Sequence, residues 1–268
     1  MTPEQRYLLD LNGFLHLENV LSEKELNACR EASNRYLDTP LDELSSDFGT
    51  ENGIGYKNGF AWDKALEALL FHPAYWPIVK ELTDNRPRFK SGTMLVNLPE
   101  TEYENPRVLH CARDDFGRYV TRYEVRNDRI FCNDFVIFPY FYDVNPGDGG
   151  LVVLPGSHKS EFDRPKTLHD GGVLGDTAPQ YALNITPKAG DVVILTELTT
   201  HGTLRWQARD RKRCTMILRY GPQYLPGSTP QLSDALLERL STETVELMAR
   251  GGYQEIKDIV QRDVVTLS

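Results

Sequence analysis

The sequence predicts a mainly β fold with flanking helices, in the form of a sandwich or jelly roll. Between residues 88 and 221 the chain consists of short apolar strands separated by turns, with no pattern of a long helix. On either side of this region, apolar residues recur at helical spacing. A chain of 268 residues can bury one sizeable core, and β barrels of this length commonly form one domain. We therefore expect a single domain over residues 1–268, with a helical N-terminal part (1–87), a jelly-roll core (88–221) and C-terminal helices (228–268).

Composition narrows the classes of partner. The formal net charge is -9, and binding to nucleic-acid phosphates requires a concentrated basic surface, so a nucleic-acid partner is not expected. No segment has the apolar length of a membrane span, and the first residues lack the basic and then apolar order of a signal peptide. The four cysteines have no CxxC spacing, which suits a reducing compartment. We expect a cytoplasmic protein without a membrane partner.

The N-terminal part begins with two helices that flank a short strand. Residues 2–5 have the sequence of a helix start, and residues 22–25 form a capping box for a second helix that runs to about Leu37. Between them, residues 13–17 alternate like an edge strand. Residues 42–59 are polar and rich in glycine and predict a mobile loop, whereas residues 64–82 return to helical spacing.

Two strands in the core carry the first candidate site residues. The β-branched run Val192–Thr196 follows a Gly-Asp turn and leads directly to His201. The strand Arg213–Tyr220 has two alternating faces, so Arg213 and His201 face one interior if the two strands are neighbours. The alternative is a strand-end histidine with an ordinary hydrogen bond and an arginine in a surface ion pair. Both interpretations stay open from these strands alone.

The C-terminal part has the pattern of an amphipathic helix. Apolar residues recur through residues 233–260, at Leu236, Leu237, Leu240, Val245, Met248, Ile256 and Ile259. This face is predicted to pack across the barrel or against a second copy of the chain. A homodimer is therefore a possible assembly.

Several short motifs occur in a fixed order along the core. They are Leu109-His110, the run Asp148-Gly149-Gly150-Leu151-Val152-Val153-Leu154-Pro155-Gly156-Ser157-His158-Lys159, Ala189-Gly190-Asp191-Val192-Val193, His201-Gly202-Thr203 and Arg213. With the opening Leu11-Asn12-Gly13-Phe14-Leu15, this order resembles the phytanoyl-CoA dioxygenase family of iron(II)/2-oxoglutarate oxygenases over most of the chain. The resemblance implies a double-stranded β-helix, which is a jelly-roll barrel with iron bound at its mouth.

The resemblance also implies a set of site residues. His110 and His201 are the expected iron ligands, and two imidazoles with one carboxylate on one face are typical of non-haem iron that activates O2. Arg213 is expected to bind the distal carboxylate of 2-oxoglutarate, because a planar guanidinium pairs with a carboxylate through two hydrogen bonds. Thr203 is expected to add a hydroxyl, and Arg211 is the competing choice for the arginine. The expected cofactors are Fe(II), 2-oxoglutarate as co-substrate, and O2.

One position departs from the pattern of this family. The family's first histidine is followed two residues later by aspartate, whereas His110-Cys111-Ala112 has alanine there. One explanation is that Asp114 or Asp115 is brought in by a bulge and completes the ligand set. A second is that the vacancy is real and takes chloride, as in the related halogenases, which carry alanine or glycine at this place. A third is that iron binding is lost and the barrel only binds a ligand.

Substrate-facing groups are predicted from aromatic and basic residues near these motifs. Phe138, Tyr140 and Tyr142 share one strand face, Trp206 is the candidate for a pocket wall, and the tract Arg113–Arg129 follows His110, where an insertion can cover the site. Arginine and tyrosine together suit a small substrate that is polar or anionic. The alternative is that the aromatic residues are core and the arginines pair with neighbouring acids.

Two further histidines are expected to have no chemical role. His16 lies in the predicted edge strand, and His158 lies in the turn after the Gly-Gly strand, where we expect its hydrogen bonds to hold the turn. The function implied by the resemblance is hydroxylation of an unactivated C–H bond in a small polar metabolite, while 2-oxoglutarate is decarboxylated to succinate. A halogenase is the alternative with related chemistry, and a non-catalytic jelly-roll binding protein is the alternative from a different class.

Overall fold

Two antiparallel sheets form the centre of the fold. The structure is a computed structural model that describes residues 1–99, 107–114, 117–165, 168 and 174–267, except the side chains of 117 and 118. Its strands are β1 (Phe14–Leu17), β2 (Thr50–Glu51), β3 (Gly55–Tyr56), β4 (Pro87–Asn97), β5 (Tyr123–Arg126), β6 (Arg129–Cys132), β7 (Phe135–Pro139), β8 (Gly150–Val153), β9 (Leu183–Asn184), β10 (Val192–Thr196), β11 (His201–Leu204) and β12 (Arg213–Pro222). The larger sheet has the order β1-β10-β7-β12-β4-β3-β2 and the smaller one β11-β8-β9, while β5 and β6 pair as a hairpin. The predicted mainly β jelly roll with flanking helices is confirmed.

The interior between the two sheets is lined by alternate residues of their strands. This inner cluster contains Phe14, Val136, Phe138, Tyr140, Val144, Leu151, Val153, Ile185, Val193, Leu195, Trp206 and Ala208. On β12, Ile217 packs against the inner cluster, whereas Cys214, Met216 and Leu218 belong to the core under the helices. The strand therefore has the two faces that its alternation predicts, and Arg213 lies on the inner face because it differs from Ile217 by an even number of positions.

The helices lie mostly on the outer face of the larger sheet. They are α1 (Pro3–Asn12), α2 (Glu23–Asp38), α3 (Lys64–Ala68), α4 (Trp76–Leu82), α5 (Gly117–Val120), α6 (Asp234–Leu237), α7 (Thr242–Met248) and α8 (Asp258–Gln261). Thr2 and Ser22 each close a capping box at the start of α1 and α2, as the sequence predicts. Across the described residues, no helix combines the length and the apolar character that crossing a bilayer requires.

Three elements differ from their predictions. Residues 42–59 contain β2 and β3, which extend the larger sheet beyond β4, so this segment is not simply a loop. The predicted helix over 64–82 is split into α3 and α4, because Pro73 interrupts it: a proline lacks the N–H that a helix interior needs. The C-terminal part consists of three short helices, and Val245 and Ile256 are exposed rather than packed. Helical spacing correctly marked apolar residues there, but not the breaks between the helices.

A junction around Gly13 connects α1 to the turn that precedes β11. Gly13 ends α1 in the left-handed region, with a φ of 81°. Its carbonyl accepts hydrogen bonds from Thr196 N (3.0 Å) and Thr199 Oγ1 (2.9 Å). A Cβ at Gly13 would lie 2.3 Å from Thr199 Oγ1 and 2.5 Å from His158 Nδ1. Only glycine satisfies both the backbone conformation and the close packing at this point.

We expect Gly13→Ala to lower the free energy of unfolding by about 2–5 kcal/mol, since it adds a steric overlap to the cost of a left-handed alanine. Gly147→Ala is the matched control, because Gly147 has a φ of 91° but nothing lies within 4 Å of a Cβ placed there. The control is expected to lose only about 1–2 kcal/mol. Urea unfolding of both variants measures the difference, and equal losses would contradict the importance of the junction.

Candidate active site

The two candidate ligand histidines lie side by side. His110 and His201 form an antiparallel β-bridge, with His110 N donating to His201 O (2.8 Å) and His201 N donating to His110 O (2.9 Å). Their ring centroids are 4.3 Å apart. A metal lies about 2.1 Å from an imidazole nitrogen, so two rings bound at right angles to one ion have centres roughly 4.5 Å apart. The separation of the two rings therefore fits a shared metal ion.

The outer nitrogen of each ring is oriented by a carbonyl. His201 Nδ1 lies 2.8 Å from Thr199 O, and His110 Nδ1 lies 3.2 Å from Val108 O. A carbonyl only accepts, so Nδ1 carries the proton in both rings and Nε2 is left with a lone pair for a metal. Burial lowers the pKa of His201 to about 4, which keeps this ring neutral near pH 7. Two imidazoles that each present Nε2 are a donor set suited to first-row transition metals such as iron.

The carboxylate expected as a third ligand is not assembled in the described part of the chain. There, no three His, Cys, Asp or Glu side chains come together in a way that could hold a metal ion. Asp114 accepts from the Cys111 N–H (3.0 Å) and forms an ion pair with Arg164 (3.0 Å). Asp115 lies outside the described residues. Asp114 is thus engaged elsewhere in this conformation, and the position of Ala112 has no substitute ligand among the residues that are described.

Arg213 is buried in the barrel interior without a carboxylate partner among the described residues. It is only 2% exposed, and its guanidinium donates to Asn97 Oδ1 (3.1 Å) and to the Tyr140 hydroxyl (3.5 Å). Its Nε has no hydrogen-bond partner there. Arg211, the competing choice, forms ion pairs with Asp148 and Asp210 instead. The guanidinium of Arg213 is therefore the better candidate for binding an anionic ligand.

Strand register relates Arg213 to the histidine pair. His201 pairs with Val153 across β11 and β8, and Gly150 lies at the other end of β8. A Cβ at Gly150 would lie 3.4 Å from Arg213 Nε. Three residues of a strand span about 10 Å, so the cation and the imidazoles lie at opposite ends of one short strand. Thr203 lies on the same face of β11 as His201, two positions further towards Arg213.

The aromatic candidates divide between the two faces of the larger sheet. Phe138, Tyr140 and Trp206 belong to the inner cluster, and Trp206 donates its indole N–H to Arg211 O (3.0 Å). Tyr142 does not share their face: it packs against the outer core, below the guanidinium of Arg30. The prediction of a common face is wrong for Tyr142 because β7 ends at Pro139, so strand alternation does not extend to it.

The other two histidines have contacts with the framework of the barrel. His158 is completely buried, and its ring meets the Tyr123 ring edge to face at 4.7 Å. Burial lowers the pKa of His158 to about 4. His16 pairs through Nε2 with Asp191 (2.9 Å), which links β1 to the turn before β10. The contact of His16 is structural, but the expectation that hydrogen bonds of His158 hold the turn is wrong for its ring: neither ring nitrogen has a hydrogen-bond partner among the described residues, so the ring is held by packing.

The basic tract after His110 forms α5 and the β5–β6 hairpin where it is described. Arg113 donates to His158 O (2.8 Å) and lies 3.6 Å from Glu161. Arg126 pairs with Glu124 on its own strand (3.0 Å). These two arginines therefore follow the alternative interpretation, in which the basic residues of the tract pair with nearby acids.

A group of charges near the histidines, of which Glu197 is buried and the others are partly buried, is absent from the sequence-based candidates. Glu197 is 7% exposed, and its Oε1 lies 2.7 Å from Arg219 Nη1. Arg219 also lies 3.7 Å from Asp134, which pairs with Lys90 (2.8 Å). Strand alternation contained the signal, because Val193, Leu195 and Glu197 occupy alternate positions along β10 and its end. We call Lys90, Asp134, Glu197 and Arg219 the mouth network.

Comparisons with known proteins agree with the fold and the family resemblance. The family phytanoyl-CoA dioxygenase (PhyH) matches residues 9–214. HygX from Streptomyces hygroscopicus, solved with nickel and 2-oxoglutarate bound, has 22% identity and a TM-score of 0.70, covering 88% of this chain and 94% of HygX. HygX has also been solved with nickel, 2-oxoglutarate and hygromycin B bound. No curated protein matches the chain.

A second similar structure is SnoK, a non-heme alpha ketoglutarate dependent carbocyclase from nogalamycin biosynthesis. It has 21% identity and a TM-score of 0.62, covering 96% of this chain and 95% of SnoK. The alpha ketoglutarate dependent epimerase SnoN, from the same biosynthesis, has 16% identity and a TM-score of 0.59, covering 87% of this chain and 88% of SnoN. At these identities the likeness establishes a shared fold.

Two buried arginines allow a test of whether Arg213 is part of the framework. Arg88 is fully buried and donates to Met248 O, Leu225 O and Ser228 O, so Arg88→Met leaves one buried and two partly buried carbonyl acceptors unpaired. We expect that variant to lose about 3 kcal/mol or more of unfolding free energy. Arg213→Met removes a buried cation with few partners, and we expect a loss below about 1 kcal/mol or a small gain. Denaturant unfolding compares them, and a loss for Arg213→Met as large as for Arg88→Met would assign Arg213 a framework role.

Proposed function

This chain belongs to the phytanoyl-CoA dioxygenase family, and from that premise we propose that it is an iron(II)/2-oxoglutarate-dependent oxygenase. The proposed reaction is hydroxylation of an unactivated C–H bond in a small polar molecule, with decarboxylation of 2-oxoglutarate to succinate. The observation that carries the proposal is the buried guanidinium of Arg213, which has no carboxylate partner among the described residues and faces the interior that the histidine pair borders.

The arrangement suits the shape of the co-substrate. 2-Oxoglutarate has a keto acid at one end and a carboxylate at the other. In the proposed complex, His110 and His201 would hold the iron, and Arg213 would bind the distal carboxylate of the co-substrate. Tyr140 and Asn97 orient the guanidinium from two sides, and the Thr203 hydroxyl can donate to the co-substrate.

The bound iron and 2-oxoglutarate, with O2, would supply the oxidising chemistry. The protein positions the reacting groups and excludes water from them. Thr199 O fixes the tautomer and the direction of the His201 ring. The aliphatic side chains of Leu151, Val153, Val193 and Leu195 line the interior and exclude water from it. These residues favour oxidation of the bound substrate over side reactions with solvent.

A cavity beside the mouth network is a candidate location for part of the substrate. It has a volume of about 320 Å³ and is lined by Lys90, Val120, Thr121, Asn133, Asp134, Gly221, Pro222, Leu225 and Pro226. Its polar lining residues can both donate and accept hydrogen bonds, which suits a small polar molecule. HygX and SnoN have been solved with hygromycin B and with nogalamycin RO, respectively, which supports a small-molecule substrate for this fold.

Halogenation is the second candidate, and the alanine at position 112 favours it. A carboxylate at that place would exclude chloride from the metal by its volume and charge, whereas Ala112 leaves room. The described acid closest in sequence, Asp114, is bound to Arg164. Epimerisation and ring closure, the activities of SnoN and SnoK, are further outcomes that related enzymes reach with the same co-substrate.

We expect anaerobic addition of iron(II) and 2-oxoglutarate to give the visible metal-to-keto-acid charge-transfer band. Arg213→Met should raise the dissociation constant for 2-oxoglutarate by about 100-fold or more, because a buried charged hydrogen-bond pair is lost. Arg211→Gln is the control and should leave it nearly unchanged, since Arg211 pairs with Asp148 and Asp210. The measurement is titration of the band. If the wild-type protein gives no band, the chain is a binding protein rather than an oxygenase.

We expect Ala112→Asp to tighten iron(II) binding by about tenfold or more, because it restores a third protein ligand. The same substitution should abolish any effect of chloride on the charge-transfer band, because the carboxylate would fill the position that chloride needs. Titration of both proteins with and without chloride measures this. A wild-type band that does not respond to chloride would exclude halogenation, and unchanged iron affinity in the variant would mean that position 112 does not face the metal.

A further inference from the structure

We infer that Glu197 is a positioning residue for the metal site, supplying negative charge from outside the ligand set, and that Arg219 restrains its carboxylate there. This inference rests on the proposed function because it concerns the iron site. It assigns a role to the mouth network at the place where the usual ligand aspartate is missing.

Backbone geometry places Glu197 against the vacant position. Ala112 N donates to Glu197 O at 2.6 Å, so the residue that replaces the aspartate is in direct contact with Glu197. Glu197 N in turn donates to Asp134 O (3.0 Å). The segment from Glu197 to His201 is therefore fixed on both sides, by the start of β7 and by the turn after His110.

The side chain of Glu197 is buried next to the imidazoles. Burial acts to raise its pKa, but the charge of Arg219, 2.7 Å away, outweighs burial and lowers this pKa below its usual range. The ion pair with Arg219 therefore keeps the carboxylate charged. Oε1 lies 2.7 Å from Arg219 Nη1 and accepts no well-aligned hydrogen bond from the described residues, so its acceptor capacity is not fully used within the protein.

Arg219 explains why this carboxylate is not itself a ligand. Its guanidinium lies between Glu197 (2.7 Å) and Asp134 (3.7 Å) and holds Glu197 by an ion pair. The mouth network contains two cations and two anions and is neutral as a whole. Glu197 is the member of the mouth network whose backbone contacts Ala112, so a metal ion at the histidine pair would interact with its charge first, while the position beside Ala112 stays free of a protein carboxylate in the described structure.

The test uses cobalt(II) alone as a spectroscopic substitute for iron. Glu197→Gln should raise the dissociation constant for cobalt(II) by about 10- to 100-fold, the usual effect of removing an outer partner of a metal site. Asp134→Asn makes the same change of net charge in the mouth network, at a carboxylate that lies against Lys90 (2.8 Å). We expect this control to change the constant by about threefold or less, because Coulomb interactions weaken with distance. Glu197→Asp keeps the charge and should recover most of the affinity.

Arg219→Gln tests whether Arg219 restrains the carboxylate of Glu197, and it should change cobalt(II) affinity in the direction opposite to Glu197→Gln. With the cation removed, the carboxylate of Glu197 is free to approach the metal, so cobalt(II) should bind more tightly and its visible spectrum should change with the ligand set. This second variant keeps the inference testable if Glu197→Gln does not fold. Unchanged affinity in Glu197→Gln, or equal losses in Glu197→Gln and Asp134→Asn, would overturn the inference, as would weaker binding by Arg219→Gln.

One further measurement separates this inference from the proposed function. His201→Ala should abolish tight cobalt(II) binding. If the wild-type protein binds no cobalt(II), or if His201→Ala binds it equally well, then the proposed metal site fails and the role of Glu197 fails with it. If cobalt(II) binding depends on His201 but not on Glu197, only the present inference is wrong.

Discussion

The pair of backbone hydrogen bonds between His110 and His201 is the interaction on which the site depends. It joins a segment before the basic tract to the first residue of β11, and it sets the two imidazoles 4.3 Å apart with their Nδ1 atoms turned to carbonyls. The turn that leads to His201 is in turn held by the carbonyl of Gly13. The position of the two candidate metal ligands is therefore determined by backbone contacts rather than by their own packing.

Buried charge is distributed in two different ways within one barrel. Arg219 and Glu197 neutralise each other near the histidine pair, so their desolvation is offset within the protein. Arg213 is more deeply buried than Arg219, and its partners are the amide oxygen of Asn97 and the hydroxyl of Tyr140, with no carboxylate among the described residues. Keeping a guanidinium in such surroundings disfavours the folded state unless a ligand anion completes it, which is typical of a site selected for binding.

The alanine at position 112 separates two roles that one aspartate has in the family's pattern. In that pattern one aspartate serves both as a ligand and as the negative charge beside the metal. Here the two roles are separable, because Glu197 lies against Ala112 and provides charge, whereas the ligand position itself is left without a protein group in the described structure. Hydroxylation and halogenation differ in what occupies that position. Any effect of the mouth network on that position therefore concerns both candidate reactions.

The sequence by itself determined the jelly roll, the two faces of β12, the capped N-terminal helices and the candidates His110, His201 and Arg213, because strand alternation and capping are local patterns. Helical spacing alone misses the break at Pro73, which the sequence itself contains, and strand alternation alone misplaces Tyr142. Only the tertiary structure decided that Glu197 and Arg219 meet beside the imidazoles. They come from different strands, β12 and the end of β10, that are brought together by pairing with β7, and contacts between distant strands leave no periodic trace in the sequence.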